Sequence, residues 1–247
     1  MSESTSWLGF RRGTLISQIL IFEWGQLWHI PLLCLQEVEG TSDRCMSMED
    51  AIEWVKSGKC IVYPTSTLPA LGCIPEVSAL DALFEIKVRP RSAPVSLGVA
   101  NLSQASEIVE VTDDVYEILE DFPKGSLTIV LKPKDELDIR LGSKGVAVRV
   151  VSDPRARELL LKTGPLTATS ANKTGEDPLL DCIAAADSLC TSEHDVLGVE
   201  GGCDGGLPST LIAWHTVCDS PESQSIEVVR EGKVSTEEVL AWWKRRT

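Results

Sequence analysis

The chain has 247 residues, of which 43% are hydrophobic and 24% are charged. This length and composition suit one large α/β domain or two small ones, with enough apolar residues for a substantial core. The 23 lysines and arginines against 37 aspartates and glutamates give a formal net charge of -14, which argues against a surface that coats nucleic acid non-specifically. A local basic groove remains compatible with this charge because binding follows the local field.

The eight cysteines and three histidines are scattered along the chain without a C-x-x-C or H-E-x-x-H motif. Several cysteines fall in apolar runs, so we expect reduced core thiols in a cytoplasmic protein. We expect no metal site built from protein side chains, because the close Cys/His pairs that zinc requires are missing.

Residues 1–45 differ in character from the rest of the chain, and residues 14–35 form a mostly apolar run. The run is about long enough for a transmembrane helix, but polar residues such as Glu23 lie inside it. An added amphipathic or anchoring segment is a second interpretation. A third, which we favour, is that the segment is not native coding sequence and that translation begins at Met46 or Met48. On that interpretation we expect no stable membrane association.

Regular patterns begin at Ser47, and we expect residues 46–247 to form one catalytic domain. A helix begins at Ser47 and ends at Gly58, and residues 60–63 form a buried strand. The loop 64–72 then offers exposed hydroxyls at the carboxyl end of that strand, where open α/β sheets bind ligands. A turn that caps its own backbone explains the same loop and, from this loop alone, is the favoured interpretation.

A cluster of three cations, Lys87-Val-Arg89-Pro-Arg91, ends the next predicted helix, which begins near Ser78. Pro90 disfavours helical geometry before it, so the cations are expected to project into a loop. They either complement the helix macrodipole or bind an anion, for which Arg supplies a planar fork of donors and Lys a mobile charge.

The central part of the chain alternates predicted strands and helices, and one strand contains an arginine, Arg149. Because a charge inside an apolar strand is costly without a partner, Arg149 either forms a structural ion pair or faces a ligand anion. The predicted strands are 95–100, 126–131, 146–150, 165–169, 209–213 and 226–230; the predicted helices are two acidic segments in 102–122, one from Asp153 to Lys162, one at 179–190 and one beginning at Ser235.

Six motifs follow one another in a fixed order: Pro-Thr-x-Thr, Lys-x-Arg-Pro, Val-Ala-Val-Arg, Thr-Ser-Ala-Asn, Ser-Thr and Arg-Glu-Gly. Together they resemble the YrdC-like family, the L-threonylcarbamoyladenylate synthases, over about residues 48–235. The resemblance implies a single α/β domain with a twisted, largely mixed sheet flanked by helices and a concave basic face.

The resemblance also implies an activity: L-threonine, bicarbonate and ATP give threonylcarbamoyl-AMP and pyrophosphate. Mg²⁺ would accompany ATP, coordinated mainly by phosphates and water. The adenylate would feed a separate complex that modifies tRNA, and the protein could contact tRNA or double-stranded RNA. By the same resemblance, Thr67, Arg149 and Ser170 would bind threonine. Lys87 and Arg89 would be the catalytic residues and would bind the ATP phosphates. The nucleotide would be held by Ser170, Asn172 and Arg230.

Two departures from the family pattern lie in the threonine-side loop, where Pro69 and Ala70 replace an aromatic residue and a glycine. They leave two other functions open. One is an RNA-binding or regulatory module of the same fold without synthase activity. The other is an enzyme that adenylates a different carbamate.

Overall fold

A computed structural model of the protein describes residues 47–218 and 225–246. The predictions made for residues 1–45 lie outside these residues and stay predictions. Within the described ranges, no helix is both long and apolar enough to cross a bilayer. The helices are α1 (Met48–Lys56), α2 (Val77–Ile86), α3 (Leu102–Ala105), α4 (Asp113–Asp121), a 3-10 turn (Ile139–Leu141), α5 (Pro154–Thr163), α6 (Cys182–Leu189) and α7 (Thr236–Lys244). The strands are β1 (Ile61–Tyr63), β2 (Ala70–Gly72), β3 (Leu97–Val99), β4 (Leu127–Leu131), β5 (Val146–Val150), β6 (Leu166–Thr167), β7 (Thr169–Ser170), β8 (Leu197–Gly198), β9 (Thr210–Ala213) and β10 (Glu227–Arg230).

The strands form two mixed sheets where the sequence predicts one. The smaller sheet has the order β7-β2-β1-β8, and the larger has the order β10-β9-β4-β5-β3-β6. Each contains parallel and antiparallel pairs, for example β1 parallel to β8 and antiparallel to β2. The α/β class and the mixed pairing are therefore confirmed, with the strands divided between two layers.

The division occurs at Ala168, inside a segment predicted as one strand. On one side β6 pairs with β3, and on the other β7 pairs with β2. Ala168 is fixed to Ser96 in both directions, because its N–H donates to the Ser96 carbonyl at 2.7 Å and its carbonyl accepts from the Ser96 hydroxyl at 2.6 Å. The chain thus passes from the larger sheet to the smaller one immediately before Ser170.

Alternating side chains give the larger sheet one core face and one open face. In β4, Leu127, Ile129 and Leu131 are buried in the main hydrophobic cluster. Their alternates, Thr128 and Val130, point the other way, as the two-residue period of a strand requires. Leucines of α2, Val115 and Ile118 of α4 and Trp242 of α7 pack in the same cluster and cover the core face.

The local helix signals are largely confirmed. The side chains of Ser47 and Ser235 form capping boxes at the starts of α1 and α7, and Asp153 accepts from the first turn of α5. Helix α2 begins before the predicted Ser78, because Glu76 already accepts the Leu80 N–H at 2.9 Å. The predicted core position of the thiols is confirmed for three residues and wrong for one; Cys60, Cys73 and Cys182 are buried, and Cys190 is exposed.

Candidate active site

A cavity of about 500 Å³ lies between the two sheets. Its walls come from β2 and β7 on one side and from β4, β5, β9 and β10 on the other. Three arginines line it, and the described lining residues include no carboxylate. An excess of guanidinium groups without counter-charge suits a ligand with several negative charges. Of the residues predicted from the sequence, the cavity brings together Thr67, Arg89, Arg149, Ser170, Asn172 and Arg230.

Arg149 is buried at the polar end of the cavity, with 8% of its surface exposed. It follows Ala147 by two positions on β5, so both side chains face the cavity. Its Nε and Nη2 donate to the Gly125 carbonyl at 3.0 and 2.8 Å, and Nη2 also donates to Thr67 Oγ1 at 2.9 Å. No carboxylate pairs with it within residues 47–218 and 225–246, so the ion-pair interpretation is not supported there. Burial disfavours the charged form of Arg149 and so lowers its pKa, and an anionic ligand beside the guanidinium would offset this cost.

The loop that carries Thr67 is fixed from several directions. The Thr67 N–H donates to Thr65 Oγ1 at 3.2 Å, and Thr65 Oγ1 donates to the Leu68 carbonyl at 2.7 Å. The glycine-rich segment 201–206 supports this loop, because the Gly205 N–H donates to the Thr67 carbonyl at 2.9 Å. The hydroxyl of Thr67, which is 1% exposed, is thereby held against Arg149.

Arg89 reaches the cavity because of an unusual helix end. The N–H groups of Val88 and Arg89 donate to the carbonyls of Glu85 and Phe84, the pattern of a Schellman motif. Val88 occupies the left-handed position with φ +50°, where glycine is usual. Beyond this turn, Arg89 donates to the carbonyls of Ala93 and Pro94 at 2.8 and 2.9 Å. These bonds set the direction of its guanidinium.

The three cations of the predicted cluster occupy different environments. Arg91 is exposed and pairs with Asp81 at 2.9 Å, outside the cavity. The expectation that Lys87 also projects into the loop is wrong, since it is only 2% exposed and is not among the lining residues. Its Nζ donates to the carbonyls of Ser170 and Asn172. Burial, with a smaller contribution from the charge of Arg89, lowers the pKa of Lys87 to about 8.

Ser170 and Asn172 enter the cavity wall from the end of β7 and the turn after it. The Asn172 amide donates to the carbonyls of Lys173 and Glu176 at 3.0 and 2.6 Å. Its Oδ1 is buried and has no hydrogen-bond partner among the described residues. The turn behind the cavity wall therefore holds a buried acceptor without a described partner, and Arg89, which also lines the cavity, supplies donors.

Sequence reasoning missed a hydroxyl pair on the open face of the larger sheet. Thr128 and Ser209 are each 4% exposed, line the cavity and lie 2.7 Å apart, oxygen to oxygen. The Ser209 carbonyl accepts from Arg230 Nη2 at 2.8 Å, which fixes the third arginine at the sheet edge. The two-residue alternation of β4 could have placed Thr128 on this face. The sequence carries no signal for its contact with Ser209, because the two residues are 81 positions apart.

The family assignment follows from comparison with known proteins. Residues 53–232 match the Sua5/YciO/YrdC family, which carries the description telomere recombination. The chain belongs to this family. The family resemblance predicted from the motifs is confirmed, and each of the six motifs contributes at least one residue to the lining of the cavity.

Several relatives in the family have names that state an activity. A Mycobacterium tuberculosis protein named putative threonylcarbamoyl-AMP synthase is 30% identical over 79% of this chain and 88% of its own length. A Vibrio cholerae protein named threonylcarbamoyl-AMP synthase is 28% identical over 75% of this chain and 97% of its own length. Escherichia coli YciO, described as uncharacterized, is also 30% identical, over 75% of this chain and 88% of its own length.

Solved structures support the fold. P. abyssi Sua5, crystallised with L-threonine, superposes with a TM-score of 0.68 at 24% identity over 78% of this chain, which spans 56% of the Sua5 chain. E. coli YciO superposes with a TM-score of 0.64 at 28% identity over 77% of this chain and 91% of its own. The two-sheet α/β architecture is therefore that of Sua5 and YciO.

Proposed function

We propose that the protein is a threonylcarbamoyl-AMP synthase, which makes threonylcarbamoyl-AMP and pyrophosphate from L-threonine, bicarbonate and ATP. The observation that carries the proposal is the cavity with Arg89, Arg149 and Arg230 and no described carboxylate in its lining. ATP and bicarbonate are anions and threonine carries a carboxylate, so this lining suits all three reactants. The product would supply a separate complex that modifies an adenosine of tRNA.

Arg149 and Thr67 suit the threonine end of the cavity. A guanidinium that is desolvated and has only neutral described partners can pair with the threonine carboxylate, while the Thr67 hydroxyl remains beside it. With the carboxylate held, the amine nitrogen bonds to the carbon of bicarbonate, water leaves, and a carbamate forms. The hydroxyls of Thr128 and Ser209 also line the cavity and can form hydrogen bonds with polar atoms of threonine or bicarbonate.

Arg89, Ser170, Asn172 and Arg230 suit the nucleotide. A carbamate oxygen attacks the α-phosphorus of ATP, and the bond to the leaving pyrophosphate breaks. The negative charge that builds up on the phosphate oxygens is stabilised by guanidinium groups fixed in advance by their carbonyl contacts. Placement and charge stabilisation supply the catalysis, without an enzyme nucleophile.

ATP would enter as its magnesium complex. The described cavity lining offers hydroxyl, amide and guanidinium groups and no carboxylate. Mg²⁺ prefers oxygen ligands and keeps several waters, so the phosphates and water would coordinate it.

The test is incubation of the full chain with ATP, bicarbonate and isotopically labelled threonine. We expect threonylcarbamoyl-AMP by mass spectrometry, and pyrophosphate release that requires both threonine and bicarbonate. Pyrophosphate release that ignores threonine, or no release at all, would refute the proposal. Arg149→Met should raise the threonine KM or abolish turnover, because it removes the group assigned to the carboxylate.

Pyrophosphate release and a tRNA-binding measurement together separate the synthase from the two alternatives, a synthase for another carbamate and an RNA-binding module. Pro69 and Ala70 line the cavity next to Thr67, so they can alter which amino acid fits. Release of pyrophosphate with serine or another amino acid in place of threonine would indicate a synthase of a different carbamoyl-adenylate. Binding of tRNA without turnover of ATP would favour the RNA-binding function.

A further inference from the structure

Lys87 contacts both ends of the turn that carries two of the assigned nucleotide ligands. Its Nζ donates to the carbonyls of Ser170, at 2.5 Å, and Asn172. Its own carbonyl accepts from the backbone N–H of Thr174 at 3.1 Å and from the Thr174 hydroxyl at 2.9 Å. The residue at the C-terminal end of α2, Lys87, therefore holds the turn 170–174 at its first, middle and last positions.

The ammonium group of Lys87 points to these two carbonyls and not into the cavity. Lys87 is 2% exposed and is not among the residues that line the cavity, whereas Arg89 two positions later is. The two cations of the Lys-x-Arg motif are thus in different environments. Arg89 faces the ligand space, and Lys87 lies behind the backbone that carries Ser170 and Asn172.

The turn 170–174 depends on hydrogen bonds from Lys87, which lies outside the turn, to hold its backbone carbonyls. Asn172 donates within the turn to the carbonyls of Lys173 and Glu176. The carbonyls of Ser170 and Asn172 are both used by Lys87. Without Lys87, the Asn172 carbonyl would lose this donor and the Ser170 carbonyl would keep only the Asn172 N–H at 3.0 Å. The loss of a donor to a partly buried carbonyl is costly enough to favour another conformation of the turn.

We propose that Lys87 is a positioning residue. It fixes the turn 170–174 so that Ser170 and Asn172 line the nucleotide side of the cavity, and it acts through this turn instead of by contact with the phosphates. The identity of the ligand rests on the proposed function. The support of the turn by Lys87 does not.

The experiment compares Lys87→Met with Lys87→Arg and Arg89→Met by amide hydrogen exchange of the ligand-free protein and by ATP binding in calorimetry. We expect Lys87→Met to speed exchange at residues 172–176 at least tenfold and to weaken ATP binding at least tenfold. Arg89→Met should weaken ATP binding to a similar degree and leave that exchange unchanged. Lys87→Arg, which keeps donors for the two carbonyls, should restore part of both properties.

A double-mutant comparison distinguishes positioning from direct contact. Once Lys87→Met has released the turn, adding Asn172→Ala should weaken ATP binding by less than twofold more. The proposal would be overturned if the two substitutions weakened ATP binding by factors that multiply while amide exchange in Lys87→Met stayed normal. That result would mean that Lys87 contacts the phosphates directly.

Thr174→Val keeps the test valid if Lys87→Met fails to fold. It removes one hydrogen bond to the Lys87 carbonyl at an exposed residue outside the cavity. We expect faster exchange in the turn and a two- to fivefold loss of ATP affinity; unchanged exchange would contradict the proposal. If the wild type makes no adenylate, the proposed function fails while the exchange results still decide the role of Lys87.

Discussion

At the scale of single residues, three cations that look equivalent in the sequence have three different environments. Arg91 is exposed and paired with Asp81, Arg89 lines the cavity, and Lys87 is buried. Sequence reasoning could place them at a helix end, because Pro90 and the apolar stripe of α2 are local signals. It could not separate them, because burial of Lys87 depends on a turn more than 80 residues away.

The contrast between Arg89 and Arg91 gives a direct prediction. We expect Arg89→Met to lower kcat/KM for ATP by 100-fold or more, since it removes a preorganised charge worth about 3 kcal/mol in such sites. Arg91→Met should leave it within twofold, because an exposed ion pair contributes little. Steady-state pyrophosphate release measures both, and equal effects of the two substitutions would contradict our placement of the phosphates.

The pKa of Lys87 predicts an unusual dependence of stability on pH. Its folded pKa of about 8 lies below the ordinary 10.5, owing to burial and the nearby charge of Arg89. Between these values the unfolded chain binds more protons, so stability rises with pH. We expect the wild type to gain about 2 kcal/mol relative to Lys87→Met between pH 7.5 and 9.5, measured by urea unfolding. A constant difference between the two proteins would show that Lys87 has an ordinary pKa.

At the scale of elements, helix α2 ends in a conformation that its sequence disfavours. Val88 has φ +50° and is 74% exposed, so its side chain gains little from burial. The left-handed region costs a non-glycine residue roughly 1–2 kcal/mol. We expect Val88→Gly to raise the free energy of unfolding by about 1 kcal/mol, after the greater chain entropy of glycine is subtracted. The matched control, Val77→Gly in the first turn of α2, should lower it.

A buried arginine joins α2 to the 3-10 turn. Arg140 donates to Asp138 and Asp81 at 2.7 Å, and its hydrogen bonds lower the pKa of Asp138 to about 2. Because Asp81 is partly exposed, we expect Arg140→Met to cost about 2 kcal/mol, less than a fully buried pair. A carboxyl with a lowered pKa stabilises the fold above its unfolded pKa and loses this effect as the pH falls. Acid titration should therefore show a loss between pH 4 and 2 in the wild type that is smaller in the variant.

The elements that the sequence predicts well are those with local signals. Ser47, Asp153 and Ser235 mark helix starts within one turn, and each caps its helix in the structure. The strands β2 and β8 were missed, because they have only three and two residues and are defined by pairing with β1. The change of sheet at Ala168 was missed for the same reason, since it depends on Ser96.

At the scale of the whole molecule, a ligand in the cavity touches both sheets and should stabilise them together. A ligand at 100 times its Kd stabilises the folded state by about 2.7 kcal/mol. For a chain of this size we expect pyrophosphate to raise the melting temperature by roughly 5–10 °C. Sodium sulfate at matched ionic strength and Arg89→Met are the controls; equal shifts with sulfate, or in the variant, would place the anion elsewhere.

The arginines of the cavity have no carboxylate beside them in the described lining, and we expect them to favour short anions over long ones. The chain as a whole carries a formal charge of -14, while the described cavity lining holds three guanidinium groups and no carboxylate. A nucleoside triphosphate can place all its charge inside a space of about 500 Å³. A polynucleotide would extend beyond the cavity, where the net negative charge of the chain opposes its binding within about 8 Å at physiological salt. We therefore expect the cavity to bind small phosphates in preference to long polyanions.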